Sequence, residues 1–246
     1  MESCLRSVKR QSYSKIEIII VDNHSTDKTR EISKNYGARV VLYRGVRSKA
    51  RNIGVSLSNG EFILSLDSDM KLKNNVIKNC ATKMMNGFDA VIIPELSVGE
   101  GFWAKCKALE KKCYVGDDLI EAARFFRKSS FDAIGGYDVD LEAGEDWDLN
   151  QRLKSNNYKI NRIKSFLVHN EGRLSLRNTI TKKRYYGNTI KFYQQKHPLL
   201  SKKQLGIIRL CFIKHWSVLA KEPTYAVGLF FMKICEFTAG WLATID

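Results

Sequence analysis

Apolar positions fall into short runs separated by polar, turn-forming stretches. Glu2–Lys9 predicts a short helix, and Ile16–Val21 is a β-branched run of buried-strand length. That run stops at Asp22-Asn23-His24-Ser25-Thr26-Asp27, a segment of turn and capping residues. Thr26 or Asp27 caps a helix that runs to about Tyr36, where Gly37 ends it, and Ala38–Tyr43 is a second strand. Strand–helix–strand alternation of this kind predicts an α/β fold with a mostly parallel sheet flanked by helices.

The same reading gives a helix over Ser48–Ser58 and an apolar strand over Glu61–Leu66 that runs straight into Asp67-Ser68-Asp69. A helix over about Asn75–Asn86 and a strand over Ala90–Ile93 follow. Residues 99–127 predict a helix and a strand around a loop at Gly116-Asp117-Asp118. Gly135-Gly136-Tyr137-Asp138 is a turn, Gly144-Glu145-Asp146 opens a helix to about Ser155, and a strand over Ile160–Val168 ends at His169. Ligands of open α/β sheets bind beyond the carboxyl ends of the strands. The acidic loops after Val21 and after Leu66 occupy two such ends, and they are the first pointer to a site.

The last forty residues change character. Leu205–Leu219 and Tyr225–Ile245 are strongly apolar, and the second is long enough to cross a bilayer. Lys233 and Glu236 fall in its middle, where a charge facing lipid is costly. The segment therefore reads as helices lying in or on a membrane interface, with a packed soluble subdomain and a true span as alternatives. This divides the chain into an α/β domain over 1–195 and an apolar helical tail over 196–246.

Composition sharpens the picture in two ways. A net charge of +15 on 246 residues requires an anionic partner: nucleic acid, phosphorylated substrate or anionic lipid. No zinc finger, helix-turn-helix or RNP-type aromatic pattern favours specific nucleic-acid binding. The six cysteines are irregularly spaced and form no C-x-x-C pair, which suits reduced thiols in a reducing compartment. The polar opening Met1–Gln11 predicts no secretory leader, so the expected location is cytoplasmic and peripheral at the inner face of the membrane.

Several residues carry candidate chemistry. Asp67 and Asp69 form an acid–x–acid pair at a strand end, able to hold a hard divalent cation that bridges a diphosphate, or simply an exposed acidic turn. Arg47, Lys49 and Arg51 form a basic cluster suited to that diphosphate, or a solvated helix face. Asp146, at a helix start, suits a general base, or caps the helix. His169 is either a third metal ligand or a satisfied histidine. Lys182–Gly187, which includes Arg184, mixes cations with tyrosines and suits phosphate or a lipid headgroup, or is a basic helix face.

Taken in order, these pieces resemble the family 2 class of inverting glycosyltransferases, which implies a GT-A, Rossmann-like α/β fold. Val21–Thr29 is similar to that family's nucleotide loop, Ser7–Tyr13 to the stretch before it, Arg47–Gly54 to its basic loop and helix, and Asp67-Ser68-Asp69 to its D-x-D. Gly135–Asp138 followed by Gly144-Glu145-Asp146 is similar to the acceptor-side turn and the catalytic Glu-Asp. The resemblance covers roughly residues 1–195. It implies that Asp22, with Asn23, meets the nucleotide base, that Arg47, Arg51, Asp67 and Arg184 line the donor site, and that Asp69, with Asp67 and His169, holds Mn²⁺ or Mg²⁺. It further implies that Asp146, beside Glu145, deprotonates an acceptor hydroxyl, so that one sugar passes from a UDP- or GDP-sugar to a lipid-linked (polyprenyl-phosphate type) or glycan acceptor. Two features depart from the family. The strand that normally precedes the first helix is absent, and no Q-x-x-R-W stretch is present, Lys183-Arg184-Tyr185-Tyr186 standing in a comparable place. The first departure keeps open a second reading, a catalytically inactive membrane-associated module that binds nucleotide sugar.

Overall fold

The computed structural model describes residues 1–245; Asp246, the last residue of the expected tail, lies outside them. The elements run in chain order α1 (Glu2–Lys9), β1 (Ile19–Asp22), α2 (Thr29–Asn35), β2 (Arg39–Leu42), α3 (Arg47–Ser56), β3 (Phe62–Leu64), β4 (Met70–Leu72), α4 (Val76–Met85), β5 (Ala90–Ile92) and β6 (Glu95–Glu100). Then come α5 (Gly101–Tyr114), β7 (Ala123–Arg127), α6 (Lys128–Ala133), α7 (Glu145–Ser155), β8 (Ile160–Arg162) and β9 (Leu167–Arg173). Five helices close the chain: α8 (Leu176–Lys196), α9 (Pro198–Leu205), α10 (Leu210–Lys214), α11 (Trp216–Ala220) and α12 (Pro223–Ile245). All six cysteines are free thiols, five of them buried.

Packing divides these elements into two units. The first comprises Met1–Pro94, Ala122–Val139 and Glu145–Val168; the second comprises Glu95–Glu121, Asp140–Gly144 and the chain from His169 onward. In the first unit β1 and β2 pair in parallel around α2, as the alternation predicts. The larger sheet, ordered β3-β7-β5-β8, is mixed rather than mostly parallel. β7 runs antiparallel to both β3 and β5, and β8 runs parallel to β5. The reason lies in the connection: the chain leaves β5 for β6 and α5 before it returns as β7, so β7 is not the end of a simple strand–helix–strand unit.

Alternation along the strands gives this sheet two apolar faces. Val91 and Phe125 pack with Val76, Cys80 and Met84 of α4 on one face, while Ala90, Ile92 and Phe126 pack with Phe131, Leu149 and Leu153 of α6 and α7 on the other. α4 presents Val76, Ile77, Cys80 and Met84 on one side, the three-and-four spacing of a helix that buries one stripe. α1 is pinned by polar contacts as well: Ser7 Oγ accepts the Leu72 N–H at 3.0 Å, and Gln11 donates to the Lys73 carbonyl at 3.0 Å while accepting the Ile77 N–H at 3.1 Å.

The second unit is built on α5, α8 and α12, with a core of Cys106, Leu109, Cys113, Phe212, Leu229 and Met232. α8 and α12 approach closely where Gly187 has no side chain: a Cβ there would stand 2.8 Å from the Gly240 carbonyl oxygen and 2.7 Å from the Ala243 methyl. Gly187→Val is therefore expected to destabilise by about 1–3 kcal/mol through overpacking, read as a lower midpoint in urea.

The two charges in the middle of α12 are not turned outward. Lys233 and Glu236 are buried and close a ring with α5: Lys233 Nζ lies 2.9 Å from Glu110 and 2.6 Å from Glu236, and Lys107 Nζ lies 2.6 Å from Glu110 and 3.4 Å from Glu236. Burial alone would raise both carboxyls, but Lys107 above all holds them below the usual range, Glu236 at about 2. Burial also pushes the neighbouring Lys183 amine of α8 down to about 8.

Candidate active site

Four segments of the first unit converge on Arg51. α3 carries it, on a side chain that is largely buried. One terminal nitrogen, Nη1, donates to Asp146 Oδ1 at 3.0 Å and to Glu145 Oε1 at 3.2 Å; the other, Nη2, donates to Asp67 Oδ1 at 2.8 Å. Its guanidinium stands 5.2 Å from the centre of the Tyr137 ring. One arginine thus joins the acid–x–acid pair after β3, the Glu-Asp pair that opens α7 and the Gly-Gly-Tyr-Asp turn.

Each partner is placed for a local reason. Gly135 and Gly136 take left-handed backbone, with φ of +81° and +67°, and a Cβ on Gly136 would sit 2.8 Å from the Asn52 side-chain oxygen. That contact is close because Asn52 of α3 clamps the turn, donating to the Tyr137 carbonyl at 2.8 Å and accepting the Tyr137 N–H at 2.9 Å. Arg152 of α7 donates to the Ile134 and Gly136 carbonyls, both at 2.6 Å. The turn is held from both sides, and this sets the buried Tyr137 ring against Arg51.

The charges balance as a set. Arg47 donates to Glu145 at 2.5 Å, and Arg124 of β7 stands 3.5 Å from Asp67 Oδ2. Burial would raise the Asp67 carboxyl, but Arg124 and Arg51 hold it at about 2. Burial would also lower Arg51, but the surrounding acids, Asp146 first, keep it protonated beyond its ordinary range. Glu145 goes the other way: burial, and then the adjacent Asp146, raise it against the pull of Arg47 and Arg51. The two carboxylates of the Glu-Asp pair accordingly have different characters. Glu145 is enclosed, while Asp146 is partly open to solvent at the first turn of α7.

The nucleotide-loop candidates sit at the end of β1. Asp22 is buried and accepts both the Ser25 N–H, at 3.2 Å, and the Ser25 hydroxyl. These contacts fold the loop back on itself, with His24 in left-handed backbone at φ 56° and Asn23 exposed. Asp69 is exposed beyond Asp67. An ionised Asp67 with Asp69 two residues on offers hard oxygen donors of the kind Mg²⁺ or Mn²⁺ takes. Among the described residues no group of three or more His, Cys, Asp and Glu side chains gathers as a metal cage, so water and phosphate oxygens would complete such a shell.

His169 and Arg184 belong to the second unit. His169 does not end a strand; it sits inside β9, which restarts at Leu167 after a break and continues to Arg173. Its Nδ1 lies 3.1 Å from Glu95 and 3.6 Å from Glu171. Arg184 is exposed on α8. Two members of the arginine-centred cluster escape a reading of the sequence alone. Arg124 is signalled only by a cation inside the apolar strand Ala123-Arg124-Phe125-Phe126, and Tyr137 lies in a turn that the sequence marks as acceptor-side without giving the tyrosine a role of its own.

Comparison with known proteins bears on this geometry. The chain is 29% identical over 199 residues to the PGL/p-HBAD biosynthesis glycosyltransferase of Mycobacterium bovis, covering 75% of this chain and 77% of that one. Its fold is similar to mannosyltransferase PcManGT from Pyrobaculum calidifontis, solved in complex with GDP-Man and Mn²⁺, at a TM-score of 0.66 and 15% identity, covering 99% of this chain and 82% of that one. It is also similar to S. aureus TarS 1–349 in complex with UDP, at a TM-score of 0.55 and 16% identity, covering 98% and 85%. At such identities the two structures speak for the fold alone, an α/β fold of the GT-A type. The sequence profile of glycosyl transferase family 2 matches residues 1–164, well over half of the chain, and the chain belongs to that family of sugar-transferring enzymes.

Proposed function

We propose that this chain is a metal-dependent, inverting glycosyltransferase. It moves one sugar from a UDP- or GDP-sugar to a lipid-linked acceptor of the polyprenyl-phosphate type, or to a glycan, at the inner face of the cell membrane. The carrying observation is the Arg51 junction, which holds Asp67 of the acid–x–acid pair and the Glu145-Asp146 pair on one guanidinium. A donor-side acid and a candidate base are thereby neighbours in one unit. The UDP of the TarS structure and the GDP-Man and Mn²⁺ of the PcManGT structure support a nucleoside-diphosphate sugar and a divalent cation here.

In this reading the acceptor hydroxyl oxygen forms a bond to the anomeric carbon as the bond from that carbon to the diphosphate oxygen breaks. The electron pair leaves with the nucleoside diphosphate, and the hydroxyl proton passes to Asp146. Attack opposite the leaving group inverts the anomeric centre. Arg51 and Arg47 offer fixed positive charge to the departing diphosphate. Mn²⁺ or Mg²⁺, for which Asp69 and Asp67 are the candidate ligands, would supply Lewis-acid neutralisation of that charge. Asp22 and Asn23 serve the base, and Arg184 serves phosphate. Residues 1–195 carry this chemistry, and 196–246 serve membrane association.

Asp69→Ala is expected to abolish divalent-dependent donor binding while leaving the fold intact, because Asp69 is exposed and outside the buried cores. Calorimetry with UDP or GDP and Mn²⁺ checks it, and unchanged affinity would remove Asp69 from the metal site. Donor binding without turnover across a panel of nucleotide sugars and lipid acceptors would instead favour the inactive binding module.

A further inference from the structure

In sequence α12 is an apolar helix with two charges in its middle; in the fold these properties lie on opposite faces. Leu229, Met232, Lys233, Glu236, Ala239 and Ala243 are buried, the two ions inside the ring with Lys107 and Glu110. Val227, Phe231, Ile234, Phe237, Trp241 and Leu242 are exposed, from 47% at Phe237 to 73% at Val227. Their spacing keeps to one side of the helix, and at 1.5 Å per residue the stripe runs for about 22 Å. Ile208, Leu210, Ile213 and Trp216 add further exposed apolar side chains just before it, on and around α10 and α11. A water-facing helix does not keep a stripe of this kind without a partner.

Charge selects the partner. From Arg173 to Ile245 the chain carries thirteen Lys and Arg against two Glu. Glu236 is one of the two and is buried in the ring; the other, Glu222, is paired with Lys112 at 2.8 Å. The surface cations of this stretch include Lys202, Lys203, Lys214 and Lys221, all exposed. A second copy of the chain on the stripe would bring two cationic borders together, which is repulsive. An anionic lipid surface offers phosphates to the cations, acyl chains to the stripe and an interfacial layer that suits exposed Trp216 and Trp241.

We propose that α12 docks lengthwise in the headgroup region of an anionic bilayer, inserting its Val227–Leu242 stripe while the lysines before it engage lipid phosphates. It lies in the plane and does not cross. A helix that crosses alone meets lipid on every side, whereas one side of α12 is covered by α5 and α8, and crossing would strip Lys233 and Glu236 of Glu110 and Lys107. The docking gives its use to the transferase reading, on which it rests for a lipid-linked acceptor.

The test is cosedimentation of the full chain with phosphatidylcholine vesicles, with and without phosphatidylglycerol. Sedimentation is expected only when phosphatidylglycerol is present, falling as salt rises and reversed by alkaline carbonate. Val227→Ser/Ile234→Ser/Leu242→Ser is expected to lose sedimentation by more than about tenfold with an unchanged thermal melt, since all three side chains are about half exposed or more. Lys214→Gln and Lys221→Gln are each expected to weaken it by about fivefold. Sedimentation of the triple variant equal to the parent overturns the proposal. So does a parent chain that stays in the supernatant as a dimer that the triple variant breaks, and so does binding that carbonate does not reverse, the mark of a span. Hydrolysis of soluble nucleotide sugar, read on the same samples, keeps the two readings apart. Sedimentation without hydrolysis counts against the transferase, and hydrolysis without sedimentation counts against docking.

Discussion

Asp146→Asn is expected to lower turnover by about 10²–10⁴-fold, the usual worth of a positioned general base, with little change in donor affinity. Asparagine has the same shape and can still accept the 3.0 Å hydrogen bond from Arg51 Nη1, so the junction survives. What is lost is the ability to take a proton. Asp146 fits this role better than its neighbour. It is partly open to solvent, and it lies in the first turn of α7, where the helix dipole favours a negative charge. Glu145 is enclosed, accepts from both Arg47 and Arg51, and is raised by burial, which suits a residue that builds the site. Glu145→Gln should therefore act first on stability, and Asp146→Asn on kcat. Steady-state kcat and KM, with calorimetric affinity for the nucleoside diphosphate, separate the two. A kcat within a few-fold of the parent would take Asp146 out of the base role.

Much of the scaffold is written locally and was legible for that reason. α1 falls on the expected residues because its apolar positions and the polar stretch after it agree. Gly37, with φ of +72°, follows α2 as the expected stop, and the loop after β1 turns on Asp22, whose carboxylate accepts from the Ser25 N–H and hydroxyl. β6 was not legible, because Glu95-Leu96-Ser97-Val98-Gly99-Glu100 carries only two apolar residues and the fold buries Ser97 while it exposes Val98. α8 was obscured by Gly187 in its middle, a residue placed there for its contact with Gly240 rather than for helix propensity. Antiparallel β7 depends on a long excursion through another unit, which periodicity does not register.

The same division runs through the site. Asp67, Asp146 and Arg51 stand out in sequence because their residue types sit at strand and helix ends, but their meeting on one guanidinium is a tertiary fact, with Asp146 lying 95 residues from Arg51. Arg124 and Tyr137 enter only through that meeting. Lys233 and Glu236 are the sharpest case. In sequence they argue against burial of α12 in lipid, and the fold answers with Lys107 and Glu110, more than a hundred residues earlier, which turn both ions inward.

Arg51→Met is expected to have the largest effect on stability, about 3–5 kcal/mol, because it removes one partner from a buried ion cluster and leaves the others uncompensated. Methionine keeps the apolar stem of the side chain but not the guanidinium that stands over the Tyr137 ring, so the ion pairs and the cation–π contact are lost together. Arg47 would remain for Glu145 and Arg124 for Asp67, and Arg47 is half exposed. The sign of the pH dependence distinguishes this account from lost packing. In the parent, Asp67 is lowered from 3.8 to about 2, so its contribution is complete above pH 3.8 and is lost as pH falls through about 2. That contribution is at most about 2 kcal/mol, less for the solvent that reaches the carboxyl. Without Arg51 the Asp67 carboxyl rises toward its ordinary range and Glu145, already raised, rises further. A carboxyl raised in the folded state favours folding more as pH falls through its folded value. The gap between variant and parent should thus be widest near pH 7 and narrow toward about pH 4, as the uncompensated carboxylates take up protons. Urea unfolding of both proteins across that range reads the gap directly. A gap that stays constant from neutral to acid pH would mean that Arg51 stabilises by packing on Tyr137, and that the three carboxylates do not depend on it.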